Sequence, residues 1–491
     1  MKSVIVIGAG IGGITTAAHL AQRGLHVTVI EKNARPGGRC DRFEREGHHF
    51  DLGPTLFVMP LVYESEFAAL GASMHEMLDL QRVDPTYHLF FDDGSRLALT
   101  SDMKMMQQQL EQFEPGSFGG LMRYLDEGHR HYHVAMERLV TRDFRTAAEF
   151  FSPRNISLLW EIKPLAKHYD HMSAYFDDPR LKAAFTFQDV YMGLSPFDAP
   201  STFSLMPYSE LAHGVWYPKG GMYQIVEALM TIARDAGVVF ELETAVSQIK
   251  TNQSKAEGVV LEDGRFLQAD AVIANADLPY VYQNLLPANG MGERLNRKKY
   301  SCSTINFFWG VDKKYPSLAP HSLFLVDDYR GNFDSIINDL AKPDDPSLYI
   351  HVPTRLDPSL APPDQESIIA IVPVGHMDER GKQDWRAIRD QARQDVFDRL
   401  ATIGITDLQE HIKFETNFTP PSWQQRYNLV KGATHGLGHT LMQLGYMRPK
   451  NRHAKYHNLY FVGASTHPGT GVPTAMISAR LTAERLLDDA M

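Results

Sequence analysis

The stretch that decides the fold is "SVIVIGAGIGGITTAAHLAQRGLHVTVIEK", residues 3–32. Its pattern predicts a buried strand, a glycine-rich turn, a helix and a second strand that ends at an acidic residue, Glu31. The glycines of the turn are Gly8, Gly10 and Gly13. The predicted bounds are 3–7 for the first strand, about residue 23 for the end of the helix, and 27–30 for the second strand.

Each residue of this motif has a physical task. Gly8 allows the tight turn, Gly10 lets the backbone approach a pyrophosphate, and Gly13 allows the helix to pack closely on the strand. The helix N-terminus offers free N–H groups to an anion. Glu31 lies where a carboxylate accepts hydrogen bonds from ribose hydroxyls. The motif therefore predicts a dinucleotide site, without separating NAD from FAD.

Composition limits the classes of protein that remain. The chain has 491 residues, 43% of them hydrophobic and 22% charged, which predicts two or three globular units. The chain has 49 basic and 59 acidic residues, and the resulting net charge of −10 argues against nucleic acid as a partner. The apolar runs are strand-sized, so we expect no membrane span.

The cysteines and histidines suggest no metal centre. Cys40 and Cys302 are too few for a disulfide framework, so we expect a reducing compartment and a cytoplasmic location. The histidines at 129, 131 and 133 alternate too closely to share one helix face, which predicts a solvated or interfacial stretch. No metal is therefore expected.

Two further turns follow Glu31. "KNARPGGRC" places Gly38 and Arg39 in a turn that returns a guanidinium towards the pyrophosphate, although a solvated surface arginine is the alternative. This turn and "HHFDLGPTLF" resemble a large flavoprotein group that includes amine oxidases, protoporphyrinogen oxidases and carotenoid desaturases. The resemblance implies that Gly53, Pro54 and Thr55 run along a flavin. A simple loop turn is the alternative for that segment.

The C-terminal stretch "NLYFVGASTHPGTGVPTAMISARLTAERLL", residues 458–487, repeats the strand, turn and helix order. Gly463 and Gly471 allow close approach of the backbone, and Pro473 suits the first turn of the helix. A helix N-terminus directed at the N1–C2=O edge of a flavin favours its reduced state. The two glycine turns are thus predicted to hold the two ends of one extended FAD.

At this point the resemblance narrows to bacterial-type phytoene desaturases, the FAD-dependent carotenoid desaturases. "NLYFVGASTHPGTGVPTAMISA", "WYPKGGMYQIVEAL" (216–229) and "ANADLPYVY" (274–282) resemble that family along nearly the whole chain. The resemblance implies an α/β fold with a discontinuous, Rossmann-like FAD-binding domain, a mixed-sheet substrate domain and a helical lid. The cofactor-binding residues that motif and resemblance together predict are Gly8, Gly10, Gly13, Glu31, Lys32, Gly38, Arg39, Gly53, Pro54, Thr55, Val246, Asn275, Gly463, Gly471, Val472 and Pro473.

Because the FAD motifs lie at opposite ends of the chain, the domains must be interrupted. The expected domains are FAD-binding (1–80, 215–280 and 440–491), substrate-binding (81–100 and 281–439) and a helical lid (101–214). Buried strands are expected at 304–311 and 368–374. Phe307, Phe308 and Trp309 suggest either a pocket wall or ordinary core packing.

The resemblance implies desaturation of a long isoprenoid polyene, phytoene or a relative, with hydride transfer to flavin N5. Such chemistry needs a dry, elongated pocket more than an acid–base pair, so no catalytic residue is assigned. His467 lies in the flavin-side turn, where a backbone anchor is the alternative role. The other candidates are an amine or porphyrinogen oxidase and a non-catalytic prenyl-binding escort.

Expected partners follow from the same reasoning. A polyene dissolved in a bilayer predicts peripheral membrane association through apolar surface near the helical segment. The runs "GMGERL" (290–295) and "GLGHTL" (436–441) lack the third glycine of a dinucleotide site. Oxygen or a membrane quinone is therefore the expected electron acceptor.

Overall fold

Both glycine turns lie at the carboxyl edge of one parallel sheet in the computed structural model, which describes residues 2–381 and 383–490. The strands are β1 (Ser3–Ile7), β2 (His26–Ile30), β3 (Arg42–Arg45), β4 (His48–Asp51), β5 (Leu80–Val83), β6 (Tyr87–Phe91), β7 (Arg96–Leu99), β8 (Val215–Pro218), β9 (Val239–Glu241), β10 (Val246–Asn252), β11 (Lys255–Leu261), β12 (Phe266–Gln268), β13 (Ala271–Ala274), β14 (Ser303–Val311), β15 (His321–Leu325), β16 (Leu348–His351), β17 (Glu366–Val374), β18 (Ile412–Phe418) and β19 (Leu459–Phe461).

The α-helices surround these strands and fill the long segment between β7 and β8. They are α1 (Ile11–Ala21), α2 (Pro60–Ala69), α3 (Met74–Met77), α4 (Met103–Phe113), α5 (Ser117–Ala135), α6 (Ala147–Phe150), α7 (Pro153–Glu161), α8 (His168–His171), α9 (Pro179–Ala184), α10 (Leu205–Ala212), α11 (Gln224–Asp235), α12 (Leu278–Tyr280), α13 (Met291–Asn296), α14 (Tyr329–Ile337), α15 (Trp385–Thr402), α16 (Leu408–His411), α17 (Pro420–Tyr427) and α18 (Val472–Ala490).

The parallel sheet has the strand order β19-β13-β1-β2-β9. Its strands come from three separate parts of the chain, so the C-terminal strand β19 pairs with β13, next to the N-terminal β1. Alternate residues of β1 face opposite layers. Val4 and Val6 pack on helices α1, α11 and α18, whereas Ile5 and Ile7 pack towards β10 and β11. Burial on both faces explains why β1 reads as a continuous apolar run.

A second, seven-stranded sheet has the order β18-β14-β17-β16-β15-β6-β7. It is mixed, because β15 pairs parallel with β6 while the other pairs are antiparallel. The predicted strands at 304–311 and 368–374 are confirmed as β14 and β17. Phe307, Phe308 and Trp309 on β14 are buried in the core and do not line the cavity described below, so core packing is their role.

Residues 101–214 are helical, as predicted, and within this described segment no residue belongs to a strand. The expected solvated or interfacial stretch is confirmed at His129, which is exposed, but is wrong at His131. His131 is buried rather than solvated, because its Nδ1 contacts Ser204 Oγ at 2.8 Å and its Nε2 contacts the Glu161 carbonyl at 3.2 Å. Its neighbours His129 and His133 contact Tyr208 and Glu137 respectively. The described His, Cys, Asp and Glu residues form no group that could hold a metal ion.

Candidate functional site: a cavity that joins both glycine turns

One cavity of about 680 Å³ touches both glycine turns and continues between the seven-stranded sheet and the helical segment. All of the predicted cofactor residues except Gly13 line it. Gly13 instead lies behind the first turn, where an added Cβ would be 2.1 Å from the Gly8 carbonyl oxygen. The structure thus brings together residues from both ends of the chain in one site.

The first turn requires glycine for steric reasons. Gly8 has a φ of +95°, and its N–H donates to the Ile30 carbonyl at 2.7 Å. A Cβ on Gly10 would lie 2.9 Å from Asn275 Nδ2, and a Cβ on Gly38 would lie 3.0 Å from the Gly10 Cα. The backbones of Gly10 and Gly38 are therefore in contact, and the outer face of the turn lines the cavity.

The acid at the end of β2 is held by its own turn. Glu31 is buried, and its Oε2 accepts the Ala9 N–H at 2.8 Å. Its Oε1 accepts the backbone and side-chain N–H groups of Asn33 at 2.9 and 2.8 Å. These donors fix the carboxylate at the cavity wall with further lone pairs available to a ribose hydroxyl. Lys32, beside it, donates to Asn428 Oδ1 at 2.8 Å.

The Gly38–Arg39 turn lies against the "DLGPT" segment. A Cβ on Gly53 would be only 1.8 Å from the Arg39 carbonyl oxygen, so the two backbones touch. The Arg39 guanidinium lines the cavity and donates through Nη1 to the Thr434 carbonyl at 2.7 Å. Burial lowers the pKa of Arg39, with Asp277 opposing that effect. The guanidinium keeps further N–H groups for an anionic ligand.

Asn275 ties the first turn to the rest of the site. Its N–H donates to the Ile7 carbonyl at 2.8 Å, and its Nδ2 donates to the Gly8 carbonyl at 3.1 Å. Val246, at the start of β10, is buried and lines the same part of the cavity. Asn275 follows β13, which pairs with β1, whereas Val246 begins β10 of a separate three-stranded sheet, β10-β11-β12.

The second turn places the first turn of α18 against the cavity. Gly463 and Gly471 both have a φ of +115°. Gly463 N–H donates to Ser478 Oγ at 3.3 Å, which anchors the turn to α18. Val472 and Pro473 begin α18 and line the cavity, so the positive end of this helix faces whatever fills it.

Sequence reasoning missed the residue that holds this second turn, Arg448. Its guanidinium is 1% exposed and donates to the carbonyls of Leu437, Gly438, Gln443, Ala464 and Thr466. Burial lowers the pKa of Arg448 to about 9, so it stays protonated at neutral pH. A single arginine in a loop has no sequence pattern that could have indicated this role.

His467 points away from the cavity. Its Nε2 contacts the Arg142 carbonyl oxygen at 3.0 Å, and burial lowers its pKa to about 4. The neutral ring therefore donates to a backbone carbonyl of the helical segment, which is the anchoring role. His439 lies nearer the ligand space, because it lines the cavity and its Nε2 accepts the Thr470 N–H at 3.0 Å.

The far part of the cavity has a different lining. Aliphatic and aromatic side chains dominate it, among them Met136, Met206, Leu323, Leu325 and Phe333. An extended, apolar space of this kind accepts a hydrocarbon chain and holds little water. Polar residues also line this part, among them Tyr87, Tyr191, Tyr349, Tyr329 and Asn332.

The near part fits FAD on structural grounds: a backbone cradle that a Cβ would fill, a fixed acid at the ribose position and a helix N-terminus. Fold and site together define an FAD-binding oxidoreductase. The chain belongs to the family of flavin containing amine oxidoreductases, whose family model matches residues 11–487. Its cofactor is FAD.

Curated relatives match the chain from end to end. A phytoene desaturase of Fusarium fujikuroi is 43% identical over 100% of this chain and 90% of its own length. A zeta-carotene-forming phytoene desaturase of Myxococcus xanthus is 40% identical, covering 99% of this chain and 94% of the relative. A 4,4'-diapophytoene desaturase of Staphylococcus haemolyticus is 35% identical, covering 99% of both chains.

Solved structures share the fold at low sequence identity. A putrescine oxidase bound to putrescine superposes with a TM-score of 0.65 at 14% identity, covering 99% of both chains. A cyclohexylamine oxidase of Brevibacterium oxydans has a TM-score of 0.60 at 16% identity and covers 100% of both chains. At these identities the likeness shows the fold alone.

Proposed function

We propose that this protein is an FAD-dependent desaturase of a long isoprenoid polyene, phytoene or a related carotenoid precursor. The observation that carries the proposal is the cavity that joins the two glycine turns to a long apolar wall. Relatives named as phytoene desaturases cover the whole chain at up to 43% identity, and so support the polyene as substrate.

A flavin held there would supply two-electron oxidation of an allylic C–H bond of the substrate. The residues of this chain have other tasks. The glycine turns, Glu31 and Arg39 hold and orient the cofactor. The apolar side chains of the far wall keep the polyene extended and exclude water. A hydrocarbon offers no charged group for recognition, so the shape of this wall sets the specificity.

The test is co-expression with phytoene or 4,4'-diapophytoene as colourless precursors, followed by chromatography of the pigments. Desaturated, coloured products from one or both precursors are expected, and Gly10→Val, which fills the pyrophosphate space, serves as the inactive control. Turnover of amines such as putrescine with no polyene product would contradict the proposal. A purified protein that stays colourless after FAD is added would favour the escort function.

We propose the FAD-binding, substrate-binding and lid domains with the bounds expected from the sequence. The parallel sheet draws its strands from 1–80, 215–280 and 440–491, which supports one discontinuous cofactor domain. Every strand of the seven-stranded sheet comes from 81–100 or 281–439. The helical segment 101–214 supplies the remaining wall of the cavity, as a lid does.

We also propose peripheral association with a membrane surface. The support is an apolar patch, here called the 151–165 patch, that consists of Phe151, Ile156, Trp160 and Leu165. Trp160 and Leu165 are 78% and 77% exposed. Exposed apolar side chains of this size, clustered within one short segment, are typical of an interaction surface. Within the residues that the structure describes, no helix combines the length and the apolar character needed to span a bilayer.

The apolar surface extends beyond the helical segment. Phe150 and Phe151 pack on Tyr446 with ring centroids 5.9 and 6.3 Å apart, which brings the 441–447 loop beside the patch. Met442 and Met447 of that loop are exposed, while Leu444 of the same loop lines the cavity. One short loop thus contacts both the exposed apolar surface and the cavity that we propose for the polyene.

Flotation with liposomes tests this attachment. Trp160→Ser combined with Leu165→Ser is expected to abolish flotation, whereas Phe266→Ser, which removes an exposed ring on β12, is the matched control. Because the attachment is apolar, detergent releases the protein and high salt does not. Release by salt alone would contradict the proposal.

We propose oxygen or a membrane quinone as the electron acceptor. The two further glycine runs, at 290–295 and 436–441, follow no strand of the parallel sheet, which argues against a nicotinamide site there. The test supplies substrate in liposomes to the FAD-loaded enzyme without oxygen, and adds either a quinone or NADP. Turnover with the quinone is expected, and turnover with NADP alone would overturn this assignment.

A further inference from the structure

A buried polar cluster, here called the Glu210 network, lies behind the apolar wall of the cavity. It consists of Glu210 on α10, Gln188 and Tyr191 in the 3-10 turn 187–192, and Tyr87 at the start of β6. Tyr87 Oη donates to Glu210 Oε1 at 3.3 Å, and Gln188 Nε2 donates to Glu210 Oε2 at 3.0 Å. The hydroxyls of Tyr87 and Tyr191 are hydrogen-bonded to each other.

The hydrogen bonds of the network run from the cavity wall inwards to Glu210. Tyr87 and Tyr191 line the cavity, whereas Glu210 is 4% exposed and lies behind them. A chain of hydroxyl groups therefore leads from the substrate space to a carboxyl group. Proton movement along such a chain needs only small shifts of hydrogen atoms between oxygens already in contact.

The network lies on the same cavity wall as the flavin-side segment. Thr55 Oγ1 is 2.9 Å from Tyr349 Oη, and Tyr349 Oη is 2.7 Å from His321 Nδ1. The His321 ring in turn lies 5.9 Å from the ring of Tyr87, centroid to centroid. Thr55, which the family resemblance implies runs along the flavin, is thus joined to the network through two neighbouring side chains.

The surroundings of Glu210 bring the pKa of its carboxyl group close to neutral pH. Burial raises the pKa of Glu210 to about 7, with the polar groups of Gln188, Tyr87 and Tyr191 opposing that effect. The titratable groups that face this carboxyl are Tyr87 from β6, Tyr191 from the 3-10 turn and Tyr124 from α5. Burial raises the pKa of all three phenols well above 10, so each stays neutral.

We propose that Tyr191 and Tyr87 relay to Glu210 the proton that desaturation removes from the polyene. The inference rests on the function proposed above. One C–H bond of the substrate loses a hydride to the oxidised flavin, and the neighbouring C–H bond loses a proton while its electron pair forms the new double bond. Tyr191 Oη receives this proton and passes its own to Tyr87, which passes one to the Glu210 carboxylate.

The relay assigns different roles to its members. Tyr191 and Tyr87 face the substrate space and are the catalytic residues, whereas Glu210 acts through them as the proton store. Before each further turnover the carboxyl must return its proton to water, and a pKa near 7 permits that return. If Glu210 were only structural, Glu210→Gln would keep the pH profile and the isotope effect of the wild type, since a neutral glutamine also pairs with Gln188 and the phenol. The test therefore compares variants that differ in whether the side chain at position 210 can bind a proton.

The experiment follows the anaerobic bleaching of flavin in FAD-loaded enzyme mixed with polyene in liposomes. For the wild type, the rate is expected to rise with pH through about 7, because only the ionised carboxyl accepts a proton, and to slow in D₂O. Glu210→Gln and Tyr191→Phe should each lose about 10²-fold in rate. Glu210→Gln should also lose the pH dependence, and Glu210→Asp should restore part of both.

Two controls separate the relay from a structural role. Tyr124→Phe removes a buried hydroxyl that neither lines the cavity nor bonds to Glu210, and should keep the wild-type rate and solvent isotope effect. Infrared titration of the holoenzyme, without substrate, should show a protonated carboxyl that disappears as pH rises through about 7. That band should be absent from Glu210→Gln.

The outcomes are distinct. Wild-type bleaching rates, pH profile and isotope effect in both Glu210→Gln and Tyr191→Phe would overturn the relay and leave the desaturase function standing. Failure of the wild type to bleach with any polyene would overturn the desaturase function and the relay together. A loss of rate in Glu210→Gln that keeps the pH profile and the isotope effect would assign Glu210 a structural role only.

Discussion

The two ends of the cavity are built in different ways. The flavin end is made largely of backbone: Gly10 of the first turn and Gly38 approach one another so closely that a Cβ added to Gly38 would lie 3.0 Å from the Gly10 Cα. The polyene end is made of side chains that come from distant strands and turns, such as Tyr87, Tyr191 and Tyr349. A backbone cradle constrains the sequence locally, whereas a side-chain wall constrains only size and polarity at scattered positions.

The strongest test of this contrast is Gly13→Ala. The new Cβ would lie 2.1 Å from the Gly8 carbonyl oxygen, and this backbone atom cannot move without breaking the turn. We expect a protein that contains almost no flavin and has a lowered melting temperature. Gly119→Ala, on the helical segment, is the matched control and should bind flavin normally, because its new Cβ would lie 3.8 Å from the Arg123 side chain, an ordinary contact distance. Full flavin content in Gly13→Ala would show that the first turn does not require glycine at position 13 for steric reasons.

Arg448→Met is expected to have the next largest effect. It removes a guanidinium that donates to five backbone carbonyls; the Gly438 carbonyl keeps Gln443 Nε2 as a donor, and the other four buried acceptors lose this partner. Buried acceptors of this kind cost about 1–3 kcal/mol each when left unsatisfied, so a loss of at least about 3 kcal/mol in unfolding free energy is expected. Urea unfolding measures it, with Arg297→Met, which removes an exposed side chain beside α13, as control. An equal stability of both variants would contradict this role.

Arg448 also shows where sequence reasoning stops. The strand–turn–helix order at each end of the chain predicted the parallel sheet, since glycines at fixed offsets between a buried strand and a helix are typical of that arrangement. The mixed sheet, the helical segment and the family also followed from local patterns and resemblance. Arg448 and Glu210 could not be predicted, because their partners are carbonyls or side chains that only the folded chain brings near them.

The wrong expectation for His131 has the same origin. Spacing along a helix shows which residues share a face, but it does not show which other elements cover that face. Here residues Glu161 and Ser204, from two other parts of the helical segment, bury the ring. His129 and His133 do share a face, with ring centroids 4.4 Å apart, and the histidine pattern could say nothing of the burial of His131.

A smaller, pH-dependent effect is expected at the polyene end, from Glu210. Its pKa is raised from 4.5 to about 7 in the folded protein, so the folded state keeps a proton that the unfolded chain has released. Stability therefore falls as pH rises from about 4.5 to about 7, by up to about 3 kcal/mol, and stays lower above that range. Glu210→Gln should lack this fall.

The difference between wild type and Glu210→Gln isolates this contribution. Asp51, whose pKa burial raises to about 6, changes stability in the same direction, but it is present in both proteins. Urea unfolding at a series of pH values is the measurement. Parallel stability curves for the two proteins would show that Glu210 does not hold a proton near neutral pH, and would weaken the relay on grounds separate from catalysis.

The smallest expected effect comes from Glu31, a side chain at the flavin end that is not part of the glycine cradle. Glu31 accepts the N–H groups of Ala9 and Asn33, so its carboxylate both closes the turn and faces the ribose position. Glu31→Ala removes the ribose acceptor but leaves the glycine cradle, and FAD should bind about tenfold more weakly, or about 1.4 kcal/mol. Quenching of flavin fluorescence measures the affinity, and Glu76→Ala, an exposed acid on α3, is the control. If Glu31→Ala lost flavin as completely as Gly13→Ala, the flavin end would depend on side chains as much as the polyene end does, and the contrast between them would fail.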